Sequence, residues 1–260
     1  MTALPMIKKE FRELFTSYKI LFIPLVFIAL TITQPITMKM LPTLLENATG
    51  LPEGTVIEIP TPTAAEVLAT AVSKFSTLGS FILIMIVMGS IAGERASGVA
   101  SMVFVKPISR AKYYLAKAFT YYILTIVSML IAMGVTAYYT EILFGDLSWL
   151  HVWTGTLMYI PNLLLVVTTT LCASSYFSSA VSAGGVSLVF NIVIFTVPPF
   201  LGTFLSMVSP DALTNASMAV LRGSALTEAS VTAAPSLAGV FSLIAIFFFM
   251  GWYLLEKQEI

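Results

Sequence analysis

Charge is scarce in this sequence. Acidic and basic residues together make up 10% of the chain, against about a quarter in soluble domains. That is too little to cover a water-facing surface, and a soluble globular protein is excluded. A single cysteine, Cys172, excludes an intrachain disulfide and a cysteine-rich metal site, and reads as a small packing residue. The single histidine, His151, lies between Trp149 and Trp153. An interfacial aromatic belt accounts for the tryptophans and makes His151 an interfacial residue rather than a ligand. The sequence contains no G-x-x-x-x-G-K-[ST], no H-E-x-x-H, no G-x-S-x-G and no run of clustered carboxylates. No catalytic residues, no metal site and no cofactor are therefore expected on this chain.

Long apolar runs are what the sequence has instead. A helix needs about 20 apolar residues to cross the hydrocarbon core of a bilayer. Ile20–Met38, Phe75–Gly93 and Ala118–Thr140 meet this without a charge, as does Leu237–Leu255. The uncharged stretch Leu147–Pro210 is too long for one helix, and its weakest point is the small, polar Ser174–Gly185. Dividing it there gives spans near 152–171 and 186–205. The first run lacks a cleavage site and exceeds the apolar core of a signal peptide. Nothing alternates as a membrane β-barrel strand would. The expected fold is a single all-α membrane domain, residues 1–260, with six spans near 20–38, 75–93, 118–140, 152–171, 186–205 and 237–255.

Lysine and arginine orient these spans. With a cytoplasmic N-terminus, the inner segments hold ten of the 13 basic residues and the outer ones Lys39, Lys74 and Arg222, as the positive-inside rule requires. The expectation is N-in and C-in, in a plasma or inner membrane. Residues 5–19 place Met6, Ile7, Phe11, Leu14, Phe15 and Tyr18 at helical spacing, which reads as an interfacial helix. Thr63 and Glu66 form a capping-box pattern before the second span. Between spans five and six, residues 206–236 read as short outer helices, with Asp211 a candidate cap and Gly223 a terminator. The sequons at Asn47 and Asn215 carry no weight without a secretory context.

The assigned spans contain no Asp, Glu, Lys or Arg in their centres, which disfavours an ion-coupled carrier. The internal cytoplasmic segment is "GERASGVASMVFVKPISRAKYYLAK", starting at Gly93. Val99, Met102 and Val103 can share one face of a short helix over Ala96–Val105, which would lie on a partner rather than cross the membrane. Pro107 separates that helix from the next, and Ser109 is placed to cap the latter. This segment resembles the permease subunits of ABC-2 type ABC transporters, with their E-[RK]-x-x-G start and P-[IV]-[ST]-R-x-x-Y-x-x-x-K end. The matching residues are Glu94, Arg95 and Gly98, then Pro107, Ile108, Ser109, Arg110, Tyr113 and Lys117.

The resemblance implies a coupling helix seated in a groove of a separate ATP-binding subunit. Its contacts would come from Val99, Met102, Val103, Phe104, Lys106, Pro107, Ser109 and Arg110, with Glu94 and Arg95 as polar anchors. It further implies two ATP-binding subunits that carry ATP and magnesium, and a second permease copy, identical or related. Membrane lipid is a partner and nucleic acid is not. Apolar and hydroxyl-bearing residues around Asn191, Phe195, Pro198 and Pro199 suggest a pathway for a hydrophobic or amphipathic cargo, with export the family tendency. A non-transporting scaffold or receptor, and an intramembrane enzyme, are the alternative readings.

Overall fold

The structure, a computed structural model, describes residues 4–46, 62–99, 109–224 and 226–258. Among these residues the chain is helical and contains no strand. α1 (Leu4–Thr16) turns into α2 (Lys19–Glu46) through Tyr18, whose φ is 56°. α3 (Ala64–Lys74) begins at the expected capping box, with Thr63 and Glu66 each bonding the other's backbone N–H. It continues through a π-helical turn, Phe75–Gly79, into α4 (Ser80–Val87). After a turn through residues 88–91 comes α5 (Ala92–Ala96). α6 (Arg110–Phe144) and α7 (Trp149–Tyr176) are long, and α8 (Ala180–Thr196) has 17 residues. A 3-10 turn at Pro198–Phe200, α9 (Thr203–Met207), α10 (Pro210–Leu221) and α11 (Leu226–Lys257) follow.

Among the described residues, five segments are long and apolar enough to cross a membrane: Lys19–Leu41, Ala64–Ala96, Arg110–Phe144, Trp149–Tyr176 and Ala233–Lys257. α7 is the central element, packed by α4, α6, α8, α10 and α11. Polar side chains join these helices where lipid offers no hydrogen bonds. Tyr122 Oη and Thr168 Oγ1 lie 2.6 Å apart, and Thr170 Oγ1 and Ser187 Oγ 2.7 Å apart. Asn162 Nδ2 donates to the Pro210 carbonyl and to Thr214 Oγ1, both at 2.9 Å. The outward faces are apolar, as at Phe22, Val189, Ile246 and Phe249.

Several boundaries differ from expectation. The stretch Ser174–Gly185 is mostly helical, and only residues 177–179 separate α7 from α8. The expected turn is thus present but only three residues long, and the small residues beside it also serve close packing, since a methyl on Gly184 would meet Met88 Sδ. The fifth apolar helix therefore ends at Thr196, and the prolines Pro198 and Pro199 form the 3-10 turn that follows. Ser209, not Asp211, caps α10, accepting from the Ala212 N–H at 3.1 Å. Gly223 follows its end with φ 92°, as expected. α10 does not lie apart from the bundle, because Leu213, Ser217 and Val220 are buried. The helix expected over 96–105 is interrupted at its start: α5 ends at Ala96 and Gly98 has φ 74°. Residues 100–108 lie outside the described residues.

A hydroxyl repairs the break between α4 and α5. Ser174 Oγ accepts from the N–H groups of Ile91 (3.2 Å) and Ala92 (2.9 Å) and donates to the Met88 carbonyl at 2.8 Å. Unpaired backbone groups at membrane depth are costly, and this side chain satisfies three of them.

Candidate functional site

Two groups of residues stand out, a charged clasp and a cavity. The clasp begins with α1, where Met6, Glu10 and Leu14 are buried at four-residue spacing. One helical face thus delivers a carboxylate, flanked by apolar side chains, onto α6. There Lys117 is 1% exposed. Its Nζ donates to Glu10 Oε2 at 3.0 Å and to Glu94 Oε1 at 2.7 Å. One turn earlier on α6, Tyr113 Oη donates to Glu94 Oε2 at 2.5 Å. Lys9 Nζ lies within 3.2 Å of carboxylate oxygens of Glu10, Glu13 and Glu94.

The carboxylates of Glu10, Glu13 and Glu94 approach within 4.8 Å of one another. Two ammonium groups already bond into that arrangement, which makes it an ion-pair network rather than a vacant cation site. Burial alone would lower the Lys9 pKa. The Glu13 hydrogen bond and the charges of Glu10 and Glu94 outweigh it and hold the amine above its ordinary 10.5.

Glu94 and the pair Tyr113–Lys117 flank the segment 97–109, so the clasp joins the two ends of that loop. Its neighbours are secured as well. Arg95 Nη2 donates to the Ser175 carbonyl at 2.8 Å. Arg110 Nη1 donates to the carbonyls of Leu255 (3.1 Å), Glu256 (3.0 Å) and Gln258 at the end of α11, where a cation is favoured. Ser109 stands at the start of α6 with extended backbone but without a side-chain capping bond. Val99 is exposed. Met102, Val103, Phe104, Lys106 and Pro107 lie outside the described residues. Glu94 and Arg95, expected as anchors for a partner, thus have partners within the chain.

The cavity is a partly open recess of about 510 Å³ between the π-helical turn, α4 and α8, with Asp211 of α10 on its wall. Asn191 and Phe195 line it, and Pro198 and Pro199 do not. Ser76 and Thr77 of the π turn and Ser80 of α4 supply hydroxyls, while Phe81, Leu188 and Ile192 supply apolar surface. Asn191 is 5% exposed. Its Nδ2 donates to Thr169 Oγ1 (2.9 Å) and to the Ser187 carbonyl (2.8 Å), which fixes the amide's orientation because two carbonyl oxygens would repel. Asn191 Oδ1 has no hydrogen-bond partner among the described residues.

Residues 36–260 match the family described as "Protein of unknown function (DUF2705)". The chain belongs to the DUF2705 family. The match spans the loop, Glu94, Tyr113, Lys117 and the cavity, whereas Lys9 and Glu10 precede it. One relative is the "Uncharacterized transmembrane protein YxlG" of Bacillus subtilis (strain 168). It is 31% identical over 185 residues, covering 70% of this chain and 72% of the relative. With five membrane-length apolar helices among the described residues and a relative named as transmembrane, this DUF2705 protein is a multi-pass membrane protein.

The residues missed in the sequence are Lys9 and Glu10. A usable signal existed: Glu10 interrupts the apolar Met6–Leu14 stripe, and a carboxylate in that position needs a buried cation. Asp211 as a cavity residue had no comparable signal, since helices distant in sequence form that wall.

Proposed function

We propose that this chain is the membrane-spanning permease subunit of an ABC-2 type transporter, moving a hydrophobic or amphipathic cargo outward. It works as a pair of permeases with two ATP-binding subunits that hold ATP and magnesium. The chain itself is not an enzyme. In this reading it has six spans with both termini in the cytoplasm. The fifth of these crossings is made by α8 extended by the 3-10 turn at Pro198–Phe200, in a plasma or inner membrane.

The observation that carries the proposal is the clasp. Glu94, Tyr113 and Lys117 belong to the two halves of the ABC-2 motif, and they meet at the base of the loop between α5 and α6. A loop that receives motion from a partner has to pass it on, and a flexible hinge at its base would dissipate it. The ionic closure prevents this and ties α1, α5 and α6 into one unit. Glu94 and Arg95 position the loop, and the apolar Val99–Phe104 patch meets the ATP-binding subunit.

The test is purification of the tagged full chain from native membranes in mild detergent, with ATP hydrolysis and mass spectrometry of the co-purifying proteins. An ATPase with a phosphate-binding loop is expected with the parent. It should be lost when Val99, Met102 and Phe104 are all changed to Asp, at unchanged melting temperature. Absence of such an ATPase from the parent, or its full retention by the variant, overturns the proposal.

A further inference from the structure

The cavity beside the π turn has the chemistry of a binding site, and nothing in the coupling argument uses it. Its volume of about 510 Å³ falls within the range of small-molecule sites, about 300–1,000 Å³. A helix that runs straight presents no such recess. The extra residue of a π turn locally widens the helix, and such turns gather at functional positions. Here Phe75–Gly79 is that turn, and Ser76 and Thr77 from it face the recess across from α8.

Among the described residues, Asp211 is the sole charged residue on the wall. It accepts a hydrogen bond from Asn215 Nδ2 at 3.0 Å, and among the described residues no lysine or arginine pairs with it. The lining thus carries one carboxylate, in the first turn of α10, and among the described residues no basic side chain, beside the rings of Phe81 and Phe195, whose faces also favour cations.

We propose that this cavity binds an amphipathic cation, its positive group held near Asp211 and its apolar body against Phe81, Leu188, Ile192 and Phe195. An anionic or strictly neutral ligand of the same shape gains nothing from Asp211 and is discriminated against. The inference rests on the transport reading only in calling the ligand cargo. Binding is measured on the permease chain alone, so its failure leaves the ATPase result standing, and the reverse also holds.

The probe pair is tetraphenylphosphonium and tetraphenylborate, which share shape and differ in charge sign. Binding of each to the purified full chain in uncharged detergent is followed by equilibrium dialysis. Saturable binding of the cation and weak binding of the anion are expected. Asp211→Asn, which keeps an acceptor for Asn215, should weaken the cation by about tenfold or more, as loss of an opposite charge in a partly dehydrated site requires. Asp211→Glu should retain most of the affinity. Leu188→Trp, which fills the recess, should abolish saturable binding. The proposal is overturned if the anion binds as tightly as the cation, if no saturable cation binding occurs, or if the Asp211→Asn or Leu188→Trp protein binds the cation like the parent. The comparison of the two ions on the unmodified chain decides even where a variant is unstable.

Discussion

Lys117 occupies a demanding position, a buried ammonium two turns into a long apolar helix. Removing one member of a buried ionic group leaves the others uncompensated, at a cost of about 3–5 kcal/mol. Lys117→Met should therefore lower the stability of the detergent-solubilised chain by about 3 kcal/mol, read from thermal or denaturant unfolding. Adding Glu94→Gln removes an orphaned carboxylate, so the double variant should lose clearly less than the sum of the two single losses. Full additivity would show that the two side chains do not interact. Lys9 makes a prediction about pH. Its folded-state pKa is raised, so its contribution is complete below the ordinary 10.5 and is lost only as pH rises through the higher folded value. Melting temperatures of the parent and of Lys9→Met should keep a constant separation through neutral pH and converge only in strong alkali.

At the scale of elements, breaks and close approaches matter more than the helices themselves. Ser174→Ala strips the turn at 88–91 of the oxygen that serves two N–H groups and one carbonyl. A loss of about 1–3 kcal/mol follows, with faster amide exchange confined to Ile91 and Ala92. Exchange unchanged at those two amides would mean that water or another group serves them. Gly239 allows α11 to approach the segment before α10, where a methyl would collide with the Val208 carbonyl oxygen and Cβ. Because backbone rather than a flexible side chain stands in the way, Gly239→Ala should destabilise by about 1–3 kcal/mol, whereas Gly185→Ala, with open space around it, should not. Melting curves of the two variants make the comparison.

The legibility of these features in the sequence divides along physical lines. Apolar length announced α2, α6, α7 and α11, because crossing a bilayer is a requirement each helix meets by itself. The capping box at Thr63 and Glu66 was legible for the same reason: its partners are three residues apart. The break within Ser174–Gly185 was legible too, but not its shortness, because the small residues beside it also make a tight helix contact. The motif residues Glu94, Tyr113 and Lys117 were visible, but their mutual bonding was not, since a pairing over 19 or 23 positions leaves no local trace. The π turn was invisible too, as "FSTLG" has nothing that forbids an ordinary helix.

For the whole molecule, the grip of Arg110 on the carbonyls of Leu255, Glu256 and Gln258 has a consequence for biosynthesis. These groups are separated by some 145 positions or more, so the guanidinium emerges from the ribosome long before its acceptors do. Until α11 has been made and inserted, the start of α6 keeps its clasp to α1 and α5 but lacks this hold. The nascent chain therefore passes through a stage with the loop closed at its base but unsecured on its far side, a stage open to membrane chaperones and quality-control proteases. Arg110→Ala should lengthen that stage and lower the steady-state amount of protein in the membrane, with a pulse-chase showing loss concentrated in newly made chains and old ones spared.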